Sequence, residues 1–141
     1  MKILAVDPEG TTGWALFTDG KLVVWDEAID WYAIDFMLKR TLDIIVYEDF
    51  WLFPHKAAAQ IGSKMLAVGV IGVLQYTATM RGILIADQAA SIKNVAKKKF
   101  DTSSIHTTSE HIKDATLHGL YYIATTGTTT DKEGIAQFRW Q

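Results

Sequence analysis

Two carboxylates close two apolar runs: Asp7 ends Ile3-Leu4-Ala5-Val6, and Glu48 ends Ile44-Ile45-Val46-Tyr47. Each run reads as a strand buried on both faces, where a charge is costly unless something pairs with it. In SEHIKDATLHGLYYIA, His111, Asp114 and His118 fall at i, i+3 and i+7 and share one helix face. Acids gathered in this way repel, so one must take up a proton or a cation must sit between them. With no cysteine in the chain, the donors are hard oxygens, which favour Mg2+ or Mn2+. Such a cluster suits two-metal phosphodiester hydrolysis, with one ion generating a hydroxide nucleophile and the other stabilising the leaving oxygen.

These acids meet only if the elements carrying them do. Ile3 to Val6, Trp14 to Thr18 and Lys21 to Trp25 are strand-like, and Asp19-Gly20 predicts a hairpin between the second and third. Residues 30–41 carry apolar side chains at helical spacing, and Asp43 to Glu48 is β-rich. Residues 57–80 read as one long helix of small and apolar residues, with Gly62, Gly69 and Gly72 weakening it. Its stretch from Met65 to Leu74 reads as buried, either in the core or between two subunits. Gly82 to Ala86 is a fifth strand, Gln88 to Lys98 a helix ending in lysines, and Glu110 to Ala124 a last helix. The tail from about residue 125 reads as irregular.

No repeat or linker divides the chain, so one domain over 1–141 is expected. The order of elements predicts an α/β fold: a five-stranded mixed sheet with helices on both faces. Its first three strands are antiparallel, and parallel strands extend it through right-handed crossovers. If strand one lies beside strand four, Asp7 and Glu48 emerge side by side, and the last helix can bring its acidic face to them.

A composition of 49% hydrophobic and 21% charged residues places the chain among globular rather than disordered proteins. No leader is evident, and the apolar stretch is shorter than the ~18 residues of a membrane span, so a soluble, cytoplasmic protein is expected. A net charge of -2 and a pI near 6.0 argue against a partner held by overall positive charge, so any nucleic-acid contact must be local. Lys93, Lys97, Lys98 and Lys99 form the one basic concentration, read either as a phosphate-contacting patch or as a solvated helix end. Phe50-Trp51-Leu52-Phe53-Pro54-His55-Lys56 is either a base-stacking platform or a loop folded back on its core. Asp49 rivals Glu48, and His118 rivals His111.

Together, several features resemble the RuvC-type Holliday-junction resolvases: Asp7-Pro8 ending strand one, Thr12-Gly13 opening strand two, and Glu48 with aromatics after it. Ser91-Ile92-Lys93 after strand five and His111-x-x-Asp114-Ala115 on the last helix complete the likeness, which runs from Lys2 to about Ala124. The resemblance implies a ribonuclease H-like fold, a homodimer, and two Mg2+ or Mn2+ ions per active site with no organic cofactor. It implies that Asp7, Glu48, His111 and Asp114 are the catalytic and metal-binding positions, the third being Asp in many members and His in some. Asp7 would bridge both ions, Glu48 and Asp114 would each complete one, and His111 would ligate the second or move protons near the nucleophilic water. The implied reaction is symmetric, paired cutting of four-way DNA junctions, leaving 5′-phosphate and 3′-hydroxyl ends. Phe50 or Trp51 would stack on bases and Lys93 would contact phosphate, with Lys56, Lys97, Lys98 and Lys99 adding to a DNA-binding surface. The family's Asp-Pro-Gly is here Asp7-Pro8-Glu9-Gly10, and the chain is short, which suggests a compact relative from a bacterial or phage-infected cell.

Three other functions compete. A general branched-DNA or RNA-processing nuclease could use the same four positions. DPEGTTGWA also resembles the phosphate-binding hairpin of sugar kinases and actin-like ATPases, but those need a second domain that 141 residues do not hold. A non-catalytic junction-binding protein would keep the fold without the metal.

Overall fold

The computed structural model describes residues 1–29, 31–60 and 65–126, without the side chains at 31–33, 36 and 60. Most of the tail expected to be irregular therefore lies outside the described residues, as does Gly62.

The first three strands are β1 (Lys2–Asp7), β2 (Thr12–Thr18) and β3 (Lys21–Ala28), paired antiparallel in succession. The β2–β3 hairpin turns on Asp19 and Gly20, with φ of 51° and 80°, the left-handed pair that a two-residue hairpin of matching twist requires. Helix α1 (Trp31–Leu38) leads to β4 (Ile44–Glu48), which lies parallel to β1 on its free side. A single helical turn, α2 (Pro54–Ala57), is followed by α3 (Leu66–Arg81), β5 (Leu84–Gln88), α4 (Ile92–Lys97) and α5 (Glu110–Thr126). The sheet order is β3-β2-β1-β4-β5, so strand one lies beside strand four at the sheet centre, as the sequence predicts. Val6 pairs with Tyr47 and Glu48 with Gln88, so Asp7, Glu48 and Gln88 stand at one level on the C-terminal edge.

Alternation along the strands builds two cores. Leu4, Val6, Leu16, Ile45 and Tyr47 pack under α1 and α3 on one face. Ile3, Ala5, Phe17, Ile44 and Val46 pack under α5 and Ala96 of α4 on the other. Full burial of each large aliphatic or aromatic side chain contributes about 1.5–3 kcal/mol, and β1, buried on both faces, is the axis of the sandwich.

The long helix expected over 57–80 is instead interrupted. Ala58–Gln60 forms a 3-10 turn, and Met65 adopts a left-handed conformation (φ 45°) immediately before α3. Of α3 only Val70, Ile71, Leu74 and Ala78 are buried in this chain, while Leu66 and Val68, within the stretch expected to be buried, are exposed, as are Tyr76 and Met80; burial in the chain's own core is confined to one stripe. The fifth strand also lies later than its apolar run suggests. Asp87 and Gln88 join the parallel ladder opposite Tyr47 and Glu48, because backbone pairing does not require apolar side chains at a strand end. Gln88 therefore belongs to β5, and the following helix begins at Ile92. Thr125 and Thr126, expected in the irregular tail, continue α5.

Candidate active site

Asp7 is 3% exposed at the end of β1, and its Oδ2 lies 3.1 Å from Nδ1 of His111 on the first turn of α5. That meeting depends on Gly13, which pairs with Asp7 across β1–β2. A Cβ at Gly13 would lie 2.1 Å from the carbonyl carbon of His111, so only glycine lets the start of α5 press on the strand end. Gly119 plays the same part lower on α5, where a Cβ would meet the Phe17 ring at 2.3 Å. Together they seat the helix directly on β1 and β2.

The rest of the helical face follows. His118, two turns below His111, is fully buried, with Nε2 2.8 Å from Glu48 Oε2 and Nδ1 2.6 Å from Gln88 Oε1. Between them Asp114 faces Lys93, whose Nζ lies 3.2 Å from Asp114 Oδ2 and 3.3 Å from Glu48 Oε2. Lys97 Nζ stands 3.6 Å from Asp114 Oδ1, which is buried with no hydrogen-bond partner. Asp7 and His111 thus form one pair, and Glu48 and Asp114, joined by Lys93, form another beside it, drawn from β1, β4 and α5. Asp49, the rival of Glu48, lines the cleft beside it, and its Oδ1 accepts the Phe50 N–H.

The repulsion expected between these acids shows in Asp7 and is offset at Glu48 and Asp114 by the Lys93 ammonium. Burial, and then the negative charge of Glu48, pushes the Asp7 carboxyl from 3.8 up to about 6, against the opposing effects of the His111 hydrogen bond and Lys93. Burial works in the same direction on Glu48, but the hydrogen bond from His118 and the charge of Lys93 outweigh it, so its net shift is downward. Burial disfavours the charged form of Lys93, yet Asp114 and Glu48 together hold its ammonium above the usual lysine range. Asp7 tends toward a proton, while Glu48 and Asp114 share a cation.

Three carboxylates and an imidazole without sulfur suit a hard divalent ion, and the orphaned Asp114 Oδ1 is a donor atom awaiting a partner. As placed, no three ligating side chains among the described residues converge on one point, and the Lys93 ammonium stands between two of them.

Beside Glu48 opens a cleft of about 410 Å3, with Phe50, Trp51, Phe53 and Lys56 in its wall. The aromatic segment divides between its two readings. Phe50 folds back against the core, whereas Trp51 and Phe53 are 69% and 53% exposed. Lys98 and Lys99 follow the end of α4, exposed, whereas Lys93 and Lys97 are directed at the acids. Gln88 escaped the sequence reading, although an apolar run closed by a polar residue, the pattern that marked Asp7 and Glu48, recurs in LIADQ. Lys93 stood out as a phosphate contact, not as an ion-pair partner of the acids. Its pairing depends on α4 packing against α5, which no local pattern encodes.

No protein-family model matches the sequence, and no curated protein matches it. Among solved structures, Thermus thermophilus RuvC in complex with a Holliday junction substrate is similar at a TM-score of 0.63 and 10% identity, covering 100% of this chain and 99% of that one. A second Thermus thermophilus RuvC structure gives a TM-score of 0.60 at 11% identity, with both chains covered completely. At such identity the likeness speaks for the fold alone, and the fold is that of RuvC: a five-stranded mixed α/β sheet of the ribonuclease H-like kind.

Proposed function

We propose that this chain is a metal-dependent, structure-selective DNA endonuclease that resolves four-way junctions by paired, symmetric phosphodiester hydrolysis. The observation that supports this reading is the pairing of Asp7 with His111 beside Glu48 and Asp114, which Lys93 joins, at the C-terminal edge of a RuvC-like sheet next to an aromatic cleft. The choice of substrate class is supported by the similar RuvC structure, which was solved with a Holliday junction substrate. The reading takes the chain as one nuclease domain acting as a homodimer, and the exposed apolar side chains Val68, Tyr76 and Met80 on α3 offer a surface for the second copy.

Asp7, Glu48 and Asp114 would hold two Mg2+ or Mn2+ ions, with His111 as a fourth ligand or proton carrier. Bound there, the ions would supply a hydroxide nucleophile at neutral pH and stabilise the leaving oxygen. His111 Nδ1 sits on Asp7 Oδ2 with its ring 36% exposed, so it can carry a proton between that carboxylate and solvent, a task to which imidazole is suited. His118 fixes the orientation of Glu48 from below. Trp51, projecting at the cleft, can stack on a base unpaired at the branch point, a contact that tolerates any sequence. Lys56 in the cleft wall, with Lys98 and Lys99 nearby in sequence to the ion-paired lysines, supplies local positive charge on a chain of net negative charge.

The test is cleavage of a synthetic four-way junction, a linear duplex and an RNA/DNA hybrid in Mg2+, Mn2+ or EDTA, beside Asp7→Asn. Paired nicks on the junction alone, lost in EDTA and in the variant, are expected. Cleavage of the hybrid would move the function to RNA processing. Junction binding without any cut would leave a non-catalytic binding protein.

A further inference from the structure

Glu48 is held from two sides by groups of different character. On one side, His118 is fully buried and tightly bonded, at 2.8 Å to Glu48 and 2.6 Å to Gln88, so it has nowhere to go. On the other side, the Lys93 ammonium makes longer contacts: 3.3 and 3.4 Å to the two oxygens of Glu48 and 3.2 Å to Asp114. Its side chain is 27% exposed, and it rides on a flexible four-carbon stem that can swing into solvent at little cost. The oxygens it holds belong to two of the three carboxylates assigned above to the metal ions. An ammonium and a divalent cation compete for those oxygens, since their positive charges repel at a few ångströms' separation.

We propose that Lys93 is a removable internal cation: its ammonium bridges Glu48 and Asp114 in the metal-free protein, and metal loading displaces it toward the DNA-facing surface. This rests on the metal-centre reading above and deepens it. The displacement has a functional consequence. Arrival of the ions frees a lysine beside the cleft at the moment when a phosphate can use it, so metal binding and DNA binding assist each other, each raising the affinity for the other by the same factor. The metal-free protein meanwhile avoids the cost of bare, buried carboxylates.

The test uses the full chain without DNA. Mn2+ binding followed by electron paramagnetic resonance should tighten about tenfold in Lys93→Met, which keeps the stem and removes the competitor. The melting temperature of that variant should fall in EDTA and rise further than the wild type's on adding Mn2+. As a check that needs no variant, acetylation of Lys93 in the wild type, read by peptide mass spectrometry, should accelerate when Mg2+ is added, while Lys21 keeps its rate. Mn2+ affinity unchanged or weakened in Lys93→Met, or a Lys93 acetylation rate indifferent to Mg2+ in a protein that binds it, would overturn the proposal. If neither the wild type nor Lys93→Met binds Mn2+ more tightly than Asp7→Asn, the metal centre itself falls and the proposal with it.

Discussion

His118 holds Glu48 through a 2.8 Å contact between Nε2 and Oε2, across 70 residues of sequence and with no solvent exposure of the imidazole. Behind it Gln88 closes the arrangement at 2.6 Å. A carboxylate at a strand end is thereby fixed from beneath while its upper side faces Lys93 and the cleft.

Truncation should therefore be expensive. His118→Ala leaves Glu48 and Gln88 with an unmade buried hydrogen bond and opens a cavity, for a destabilisation of about 2–4 kcal/mol by urea denaturation. His118→Gln, which can still donate to Glu48, should recover part of both stability and cleavage. Equal losses in the two variants would show that the imidazole fills space without orienting Glu48.

The raised Asp7 carboxyl gives a pH signature in the metal-free protein. Its folded pKa, about 6, lies above the ordinary 3.8, so between those values the folded chain holds a proton that the unfolded chain has lost. Stability from this group is complete below pH 3.8 and declines as pH rises through 6, by about 3 kcal/mol in all. Asp7→Asn lacks the effect. In EDTA the variant should be the more stable protein at pH 7, with the difference closing toward pH 4, and parallel denaturation profiles would contradict the shift. Glu48, shifted downward, acts oppositely and at lower pH, below the window of this comparison.

Gly13→Ala should damage fold and site together. The added methyl would lie 2.1 and 2.2 Å from the carbonyl carbon and oxygen of His111, backbone atoms that cannot step aside, so α5 must lift from Asp7. Overpacking of this kind costs about 1–3 kcal/mol or more, and the melting temperature and junction cleavage should fall together. Gly72→Ala is the control: a Cβ there meets nothing within 4 Å, and the gain in helix propensity is about 0.8–1 kcal/mol.

Trp51 and Phe50 are adjacent yet should separate binding from stability. Trp51→Ala, at a side chain 69% exposed, should leave stability within about 0.5 kcal/mol and weaken junction binding by about 1–3 kcal/mol. Phe50→Ala removes a ring packed on the core and should lower the melting temperature. A gel-shift titration beside thermal melts decides, and unchanged junction affinity in Trp51→Ala would remove stacking from the mechanism.

Most of the elements, and the faces they bury, were legible in the sequence. A fully apolar run such as Ile3 to Val6 fits only a strand buried on both faces, and Asp19-Gly20 fits only a tight hairpin, because local sterics and burial leave few alternatives. The spacing of His111, Asp114 and His118 likewise set them on one helical face before any packing was known. Tertiary structure alone decided which groups touch. That Lys93 reaches two acids, that Gln88 backs His118, and that Gly13 admits the first turn of α5 all depend on distances between elements far apart in the chain. The break before α3 was equally illegible, because a left-handed Met65 defies local preference. The response to clustered carboxylates followed the same rule: burial raised the carboxyl of Asp7, and the reach of one lysine supplied a cation between Glu48 and Asp114.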